Sequence, residues 1–183
     1  MSSMEDPSHI VVPGQRTELV PPAADRVRAL KRHLIEAIRD LQGARRAERL
    51  IQRRTPEPAG FPGRVVAAAC GLCQGSCCMA GGTHAFIDDR TMARLRAERP
   101  SITGRQAVRL YVESVAPLSY RNSCLFHGPR GCTLDRTLRA ELCNSYYCND
   151  LDTFLKASVA KDVTIVTTAG ETRVVEIART GDG

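Results

Sequence analysis

Cys70, Cys73, Cys77 and Cys78 fall within nine residues in the pattern C-x2-C-x3-C-C, with Gly71 and Gly75 between them. Four more cysteines follow at Cys124, Cys132, Cys143 and Cys148, spaced C-x7-C-x10-C-x4-C. Zinc accepts four thiolates in a tetrahedron, and iron–sulfur clusters use the same ligand, often at the same short spacing. A C-x2-C turn aims two sulfurs at one centre, and Gly71 and Gly75 suit such turns because glycine reaches positive φ without strain. The adjacent pair Cys77-Cys78 is expected to behave differently. Side chains of neighbouring residues in an extended segment point to opposite sides, so the pair should serve two centres or leave one thiol over. All eight cysteines are candidate metal and cofactor ligands. They are expected to form two four-cysteine clusters folded over each other, filling two zinc sites or holding iron or an iron–sulfur cluster.

An even number of cysteines also raises disulfides. Residues 1–22 contain Glu5, Asp6 and several prolines but no apolar run of signal-peptide length. No later stretch reaches the length of a membrane span. A cytoplasmic setting is therefore expected, where clustered cysteines mean metal more often than disulfide. His84 and His127 lie near the cysteines and are secondary candidates for zinc, although a loop histidine is more often simply solvated. Arg121, Arg130, Arg136 and Arg139 would offset thiolate charge or form ordinary surface. Tyr146 and Tyr147, between Cys143 and Cys148, are expected to pack over the site. Other chemistries find no purchase: G-x-x-x-x-G-K-[ST], H-E-x-x-H and the radical C-x3-C-x2-C motif are all absent.

The elements that must position these cysteines read as mainly α with a small C-terminal β-hairpin, an α+β class. A compact, cysteine-rich, metal-stabilised domain is preceded by a long basic amphipathic helix. Residues 1–22 read as a disordered leader. Residues 23–54 carry Val27, Leu30, Leu34, Ile38 and Leu41 on one helical face. That segment has ten basic and four acidic residues, so it holds the whole +6 charge of the 183-residue chain. Its apolar stripe predicts packing on the domain. Its basic face suggests an acidic protein or nucleic acid as partner, although it lacks aromatics for base stacking. Residues 55–63 read as a Pro/Gly linker, 64–150 as the metal-binding domain and 151–180 as a short helix and β-hairpin. Within the domain, Asp88 or Asp89 predicts a helix N-cap, and Thr103 with Gln106 has capping-box spacing. Gly81 and Gly82 mark a flexible patch, Tyr120 to Cys132 a loop, and Asp135 the cap of a helix through Leu138 to Cys143. Val163 to Thr168 and Thr172 to Ile177 predict the hairpin.

Cys70, Cys73 and Cys77-Cys78, the Cys124-Leu125-Phe126 triplet, Gly131-Cys132 and Cys143-x4-Cys148 resemble the C-x-x-C-x-x-C-C zinc- or iron-chelating family (YkgJ-like). The resemblance covers about residues 70–148. It departs from the family in one extra residue between Cys73 and Cys77, in Leu134-Asp135 where Ile-Tyr is common, and in Arg139-Ala140 in place of Arg-Pro. It implies an iron–sulfur or zinc protein. Its more distant similarity to the cysteine pattern of a flagellin-lysine methylating protein implies a metal-dependent modification enzyme. Three readings stand: an iron or iron–sulfur protein, a structural zinc domain that binds protein or nucleic acid, and a modification enzyme.

Overall fold

A computed structural model describes residues 6–14, 18–41, 55–157, 162–168 and 172–179. Among these the protein is α+β, with six α-helices, one 3₁₀-helix and seven short strands in three small sheets. No helix among them is long and apolar enough to cross a membrane. The chain divides into two compact units, one of Met1–Arg16, Pro56–Ser76 and Tyr147–Gly183, the other of Thr17–Thr55 and Cys77–Tyr146. The single domain expected over 64–150 is thus interleaved with its flanks.

The first unit is built on a three-stranded sheet in the order β1-β6-β7. Strand β1 (His9–Val12) runs parallel to β6 (Val163–Thr167), with Ile10 opposite Ile165, and β6 pairs antiparallel with β7 (Val174–Ile177). The C-terminal hairpin is as expected, whereas the leader is not. His9–Val12 alternates exposed and buried positions, and Ile10 and Val12 are buried with Val163 and Ile165. Pro7 and Pro13 lie just outside the strand, so neither removes a ladder hydrogen bond from it.

Helix α2 (Gly60–Cys73) and helix α6 (Asn149–Lys156) complete this unit. Phe61, Val65 and Ala69 recur four apart on α2 and are buried, as one helix face requires. Phe61 meets Phe154 of α6 edge-on at 6.2 Å. Two expectations change here. Gly60 to Gly63 belongs to the first turn of α2 rather than to a linker, a turn where Pro62 leaves no helical hydrogen bond unmade. The segment from Arg64 to Cys73 is helical throughout, so Cys70 and Cys73 sit one turn apart on a helix and Gly71 is not a turn residue.

The second unit packs α1 (Ala24–Asp40), α3 (Asp89–Glu98) and α4 (Gly104–Glu113) around Leu30, Leu34, Leu95, Tyr111, Leu125 and Phe126. The stripe read on α1 is the buried face, as expected; the expected helix beyond it, residues 42–54, lies outside the described residues. Both N-caps form as expected. The Asp88 carboxylate accepts from the Thr91 amide at 2.9 Å, and Thr103 and Gln106 close a full capping box. The stretch from Tyr120 to Cys132 is more ordered than a loop. Strand β2 (Leu19–Val20) pairs with β3 (Ser119–Tyr120), and β4 (His127–Gly128) pairs with β5 (Gly131–Cys132). Gly131, at φ 97°, makes the tight reversal between the last two strands. Asp135 caps only a turn, through the Thr137 amide at 2.8 Å. The helix that follows, α5 (Glu141–Ser145), is short.

Candidate functional site

The eight cysteines do not divide four and four. Cys70, Cys73 and Cys148 belong to the first unit, and Cys77, Cys78, Cys124, Cys132 and Cys143 to the second. No disulfide joins any of them.

In the first unit Cys70 and Cys73 occupy the last turn of α2. The helix ends at Gln74, in left-handed conformation at φ 52°, and Gly75 follows at φ 84°. That reversal brings the Ser76 amide onto Cys73 Sγ at 3.2 Å. Cys148 stands at the N-cap of α6, and both Cys73 and Cys148 pack against the same apolar cluster.

In the second unit a chain of short-range contacts draws five thiols together. The 3₁₀-helix Ser76–Gly81 carries Cys77 and Cys78, and the Cys78 carbonyl accepts from the Cys124 amide at 3.1 Å. Gly81 is pressed against Cys124: a Cβ at Gly81 would lie 3.0 Å from Cys124 Cβ and 3.3 Å from its Sγ. Within the expected flexible patch, Gly81 is thus a tight packing contact, whereas a Cβ at Gly82 would meet nothing. The Cys124 carbonyl accepts from the His127 amide at 3.0 Å, and His127 stands opposite Cys132 in the β4–β5 ladder. Cys143 Sγ donates to the Ala85 carbonyl at 3.8 Å. Ala85 and Phe86 both have positive φ, at 52° and 58°. Two consecutive non-glycine residues there cost energy and arch the loop over Cys143.

Cys77 and Cys78 do not diverge as an extended segment would require. Successive residues of a 3₁₀ turn are roughly 120° apart, and the two thiols hydrogen-bond to each other. That bond is the main influence holding Cys77 down to about 7, helped by Arg139 and opposed by burial. Cys78 is pushed up, first by the same bond, in which it keeps its proton, then by burial and by Cys77, Cys132 and Cys124. Burial pushes Cys124 up to about 12, with Cys132 and Cys143 adding repulsion. Burial likewise pushes Cys143 up to about 11, with Cys132 and Cys77 adding to it. Neighbouring sulfurs thus oppose ionisation of Cys78, Cys124 and Cys143 but favour that of Cys77, and a cation among them would invert the opposition.

Arg26, which the linear pattern did not single out, grips this region from α1. Its guanidinium donates to the carbonyls of Gly82, at 3.2 Å, and Ser123, and it lowers Cys124 slightly against the effect of burial. Of the four arginines considered from sequence, Arg139 acts on Cys77 and Cys143. Arg121 pairs with Glu18 at the surface. The histidines separate. His127 is fully buried, bonded to Ser123 at 2.7 Å and packed on the Tyr120 ring, an architectural role. His84 lies 5.1 Å from the His33 ring. The two tyrosines also part company. Tyr147 packs into the first unit's core and Tyr146 is exposed, so they do not together cover a site.

Among the described residues, no three His, Cys, Asp or Glu side chains already stand in an arrangement that would hold a metal ion. The donor chemistry of the five-thiol group fits a thiophilic metal, and side-chain rotation would be needed to converge on one. Compared with known proteins, the chain matches no family model, no curated protein and no solved structure.

Proposed function

We propose that this is a metal-binding protein of the cytoplasm that holds iron, as an iron–sulfur cluster or bound ion, through cysteine thiolates. Its principal ligands are drawn from Cys77, Cys78, Cys124, Cys132 and Cys143. The observation that carries this reading is the gathering of five thiols in one unit, joined by the Cys78–Cys124 backbone bond and the Gly81 contact. Burial and neighbouring sulfurs resist ionisation of Cys78, Cys124 and Cys143; a cation offsets that resistance, and metal affinity is then coupled to folding. A thiolate-held cluster would supply one-electron chemistry, with a potential set by net charge, sulfur hydrogen bonds and exposure. Cys70, Cys73 and Cys148 form a smaller set that would hold a second ion or complete its shell with a non-protein ligand. The motif resemblance to the YkgJ-like family points the same way.

The structural-zinc reading is favoured by the same donor set, since four thiolates also suit zinc. Purification without oxygen, followed by metal analysis and a visible spectrum, separates the two. Sulfur-to-iron absorption with iron in the protein is expected. Colourless protein with stoichiometric zinc sinks the iron reading in favour of a structural zinc domain.

A further inference from the structure

Helices α1 and α4 of the second unit leave an open groove of about 550 Å³ along their seam. Its floor is apolar. Ile35 and Ile38 of α1 line it with Val108 and Val112 of α4, and Ile35 is 41% exposed, whereas Leu30 and Leu34 of the same helix are buried. Its rim is basic: Lys31 and Arg39 on α1, and Arg105 and Arg109 on α4. Among the described residues no carboxylate lines it, and Arg109 is ion-paired with the exposed Glu113 at 3.5 Å. Gly104 allows the start of α4 to approach α1, since a Cβ there would lie 3.3 Å from Ile38 Cγ2.

We propose that this groove docks an acidic amphipathic helix of a partner protein, whose apolar stripe covers Ile35, Ile38, Val108 and Val112 and whose flanking carboxylates meet the four cations. The spacing favours a helix. Floor residues three apart on α1 and four apart on α4 line a trough about one turn long on each side, which receives a pair of i, i+3/i+4 anchors of a docked helix. Charge selects its sign. A rim whose charged lining residues are all basic repels a second copy of this face, as a two-fold dimer through it would bring like charges together. Nucleic acid suits the rim but not the floor, which offers no aromatic for stacking and no use for exposed isoleucine. The inference is independent of the metal reading.

The test uses the full chain and fluorescence anisotropy with a labelled synthetic peptide of about 18 residues, five helical turns, carrying leucine at i, i+3, i+4 and i+7 between glutamates. The comparison probes are a scramble of identical composition, a version with lysine for glutamate, and a DNA duplex of similar length. The striped acidic peptide is expected to bind at least about tenfold more tightly than each of the others, because both stripe and charge contribute. Ile35→Asp and the pair Arg105→Glu with Arg109→Glu should each weaken it about tenfold with circular dichroism unchanged. Ile35→Ser serves if the aspartate perturbs α1. Equal binding of the scramble, tighter binding of the duplex, no binding of the striped peptide at millimolar concentration, or indifference to both Ile35 variants overturns the proposal. So does concentration-dependent dimerisation that the Ile35 variants abolish.

Discussion

Gly81 and Cys124 set the residue-scale logic of the thiol group. A methyl at Gly81 would meet Cys124 Cβ at 3.0 Å and its Sγ at 3.3 Å, so the Cys124 side chain would have to give way by a few tenths of an ångström. Gly81→Ala should therefore cost about 1–3 kcal/mol, read as a lower thermal midpoint. In metal-loaded protein it should lower metal content as well, whereas Gly82→Ala, with nothing near its Cβ, should bear only its backbone cost. Tyr111 offers a pH test away from the sulfurs. Its hydroxyl donates to the Leu138 carbonyl at 2.8 Å, and burial pushes its ionisation up. The folded state thus holds this proton more tightly than the unfolded chain does. The hydroxyl's contribution is complete below about pH 10, the unfolded value, and is lost as pH rises beyond it towards the raised folded value. Tyr111→Phe should cost about 1–3 kcal/mol at pH 8 by leaving the carbonyl unpaired, and the gap between the two proteins in urea midpoint should narrow above pH 10. A gap that is flat with pH would mean that Tyr111 is accessible to water in the fold. The residue types were legible from sequence, as every cysteine was singled out there. Which thiols meet was not, because that depends on the Cys78–Cys124 backbone bond and on Arg26 reaching Ser123, contacts between distant segments with no linear signature.

At the scale of elements, signals carried within one helix or between neighbouring strands were the ones that could be read. Asp88 and Thr91, or Thr103 and Gln106, complete their hydrogen bonds within four residues, so spacing alone predicts them. Asp88→Ala should cost about 1 kcal/mol, seen as an earlier loss of helical ellipticity on heating. The stretch before Cys73 was misread as a turn because glycine was given more weight than the Phe61, Val65, Ala69 stripe that buries one face of α2. The short α5 owes its place to a contact that sequence could not reveal. Arg94 of α3 is buried, donates to the Arg139 carbonyl and pairs with Glu141 at 3.4 Å. Glu141 also accepts from the Thr55 amide at 2.8 Å. Removing the carboxylate would strand a buried guanidinium whose Nε already lacks a partner. Glu141→Ala is expected to cost about 3 kcal/mol, the low end for a broken buried pair because Glu141 keeps some exposure. A drop under about 1 kcal/mol would show the pair to behave as a surface one.

Across the whole molecule the chain moves between its two units after Arg16, Thr55, Ser76 and Tyr146. Two of these passages fall inside the cysteine clusters seen in sequence, so the units do not follow the linear clusters. Strand β1 was missed for a related reason: four residues between prolines carry little periodicity, and their partner strand lies at the opposite end of the sequence. The division makes the metal proposal testable by region, with hydrogen exchange on protein purified without oxygen, before and after chelation. If the five-thiol group is the principal site, metal removal should speed exchange at the amides of Cys124, His127 and Thr133, which bond to the carbonyls of Cys78, Cys124 and Phe126. An opening free energy lowered by about 1.4 kcal/mol gives tenfold faster exchange, and local opening of this kind need not involve the rest of the protein. The β6 amides should keep their protection, and Cys124→Ser should reproduce the chelated pattern while Cys73→Ser leaves the second unit's metal in place. Protection lost at β6 and α2 but retained around Cys124 would assign the metal to Cys70, Cys73 and Cys148 instead, and the five-thiol site would fall.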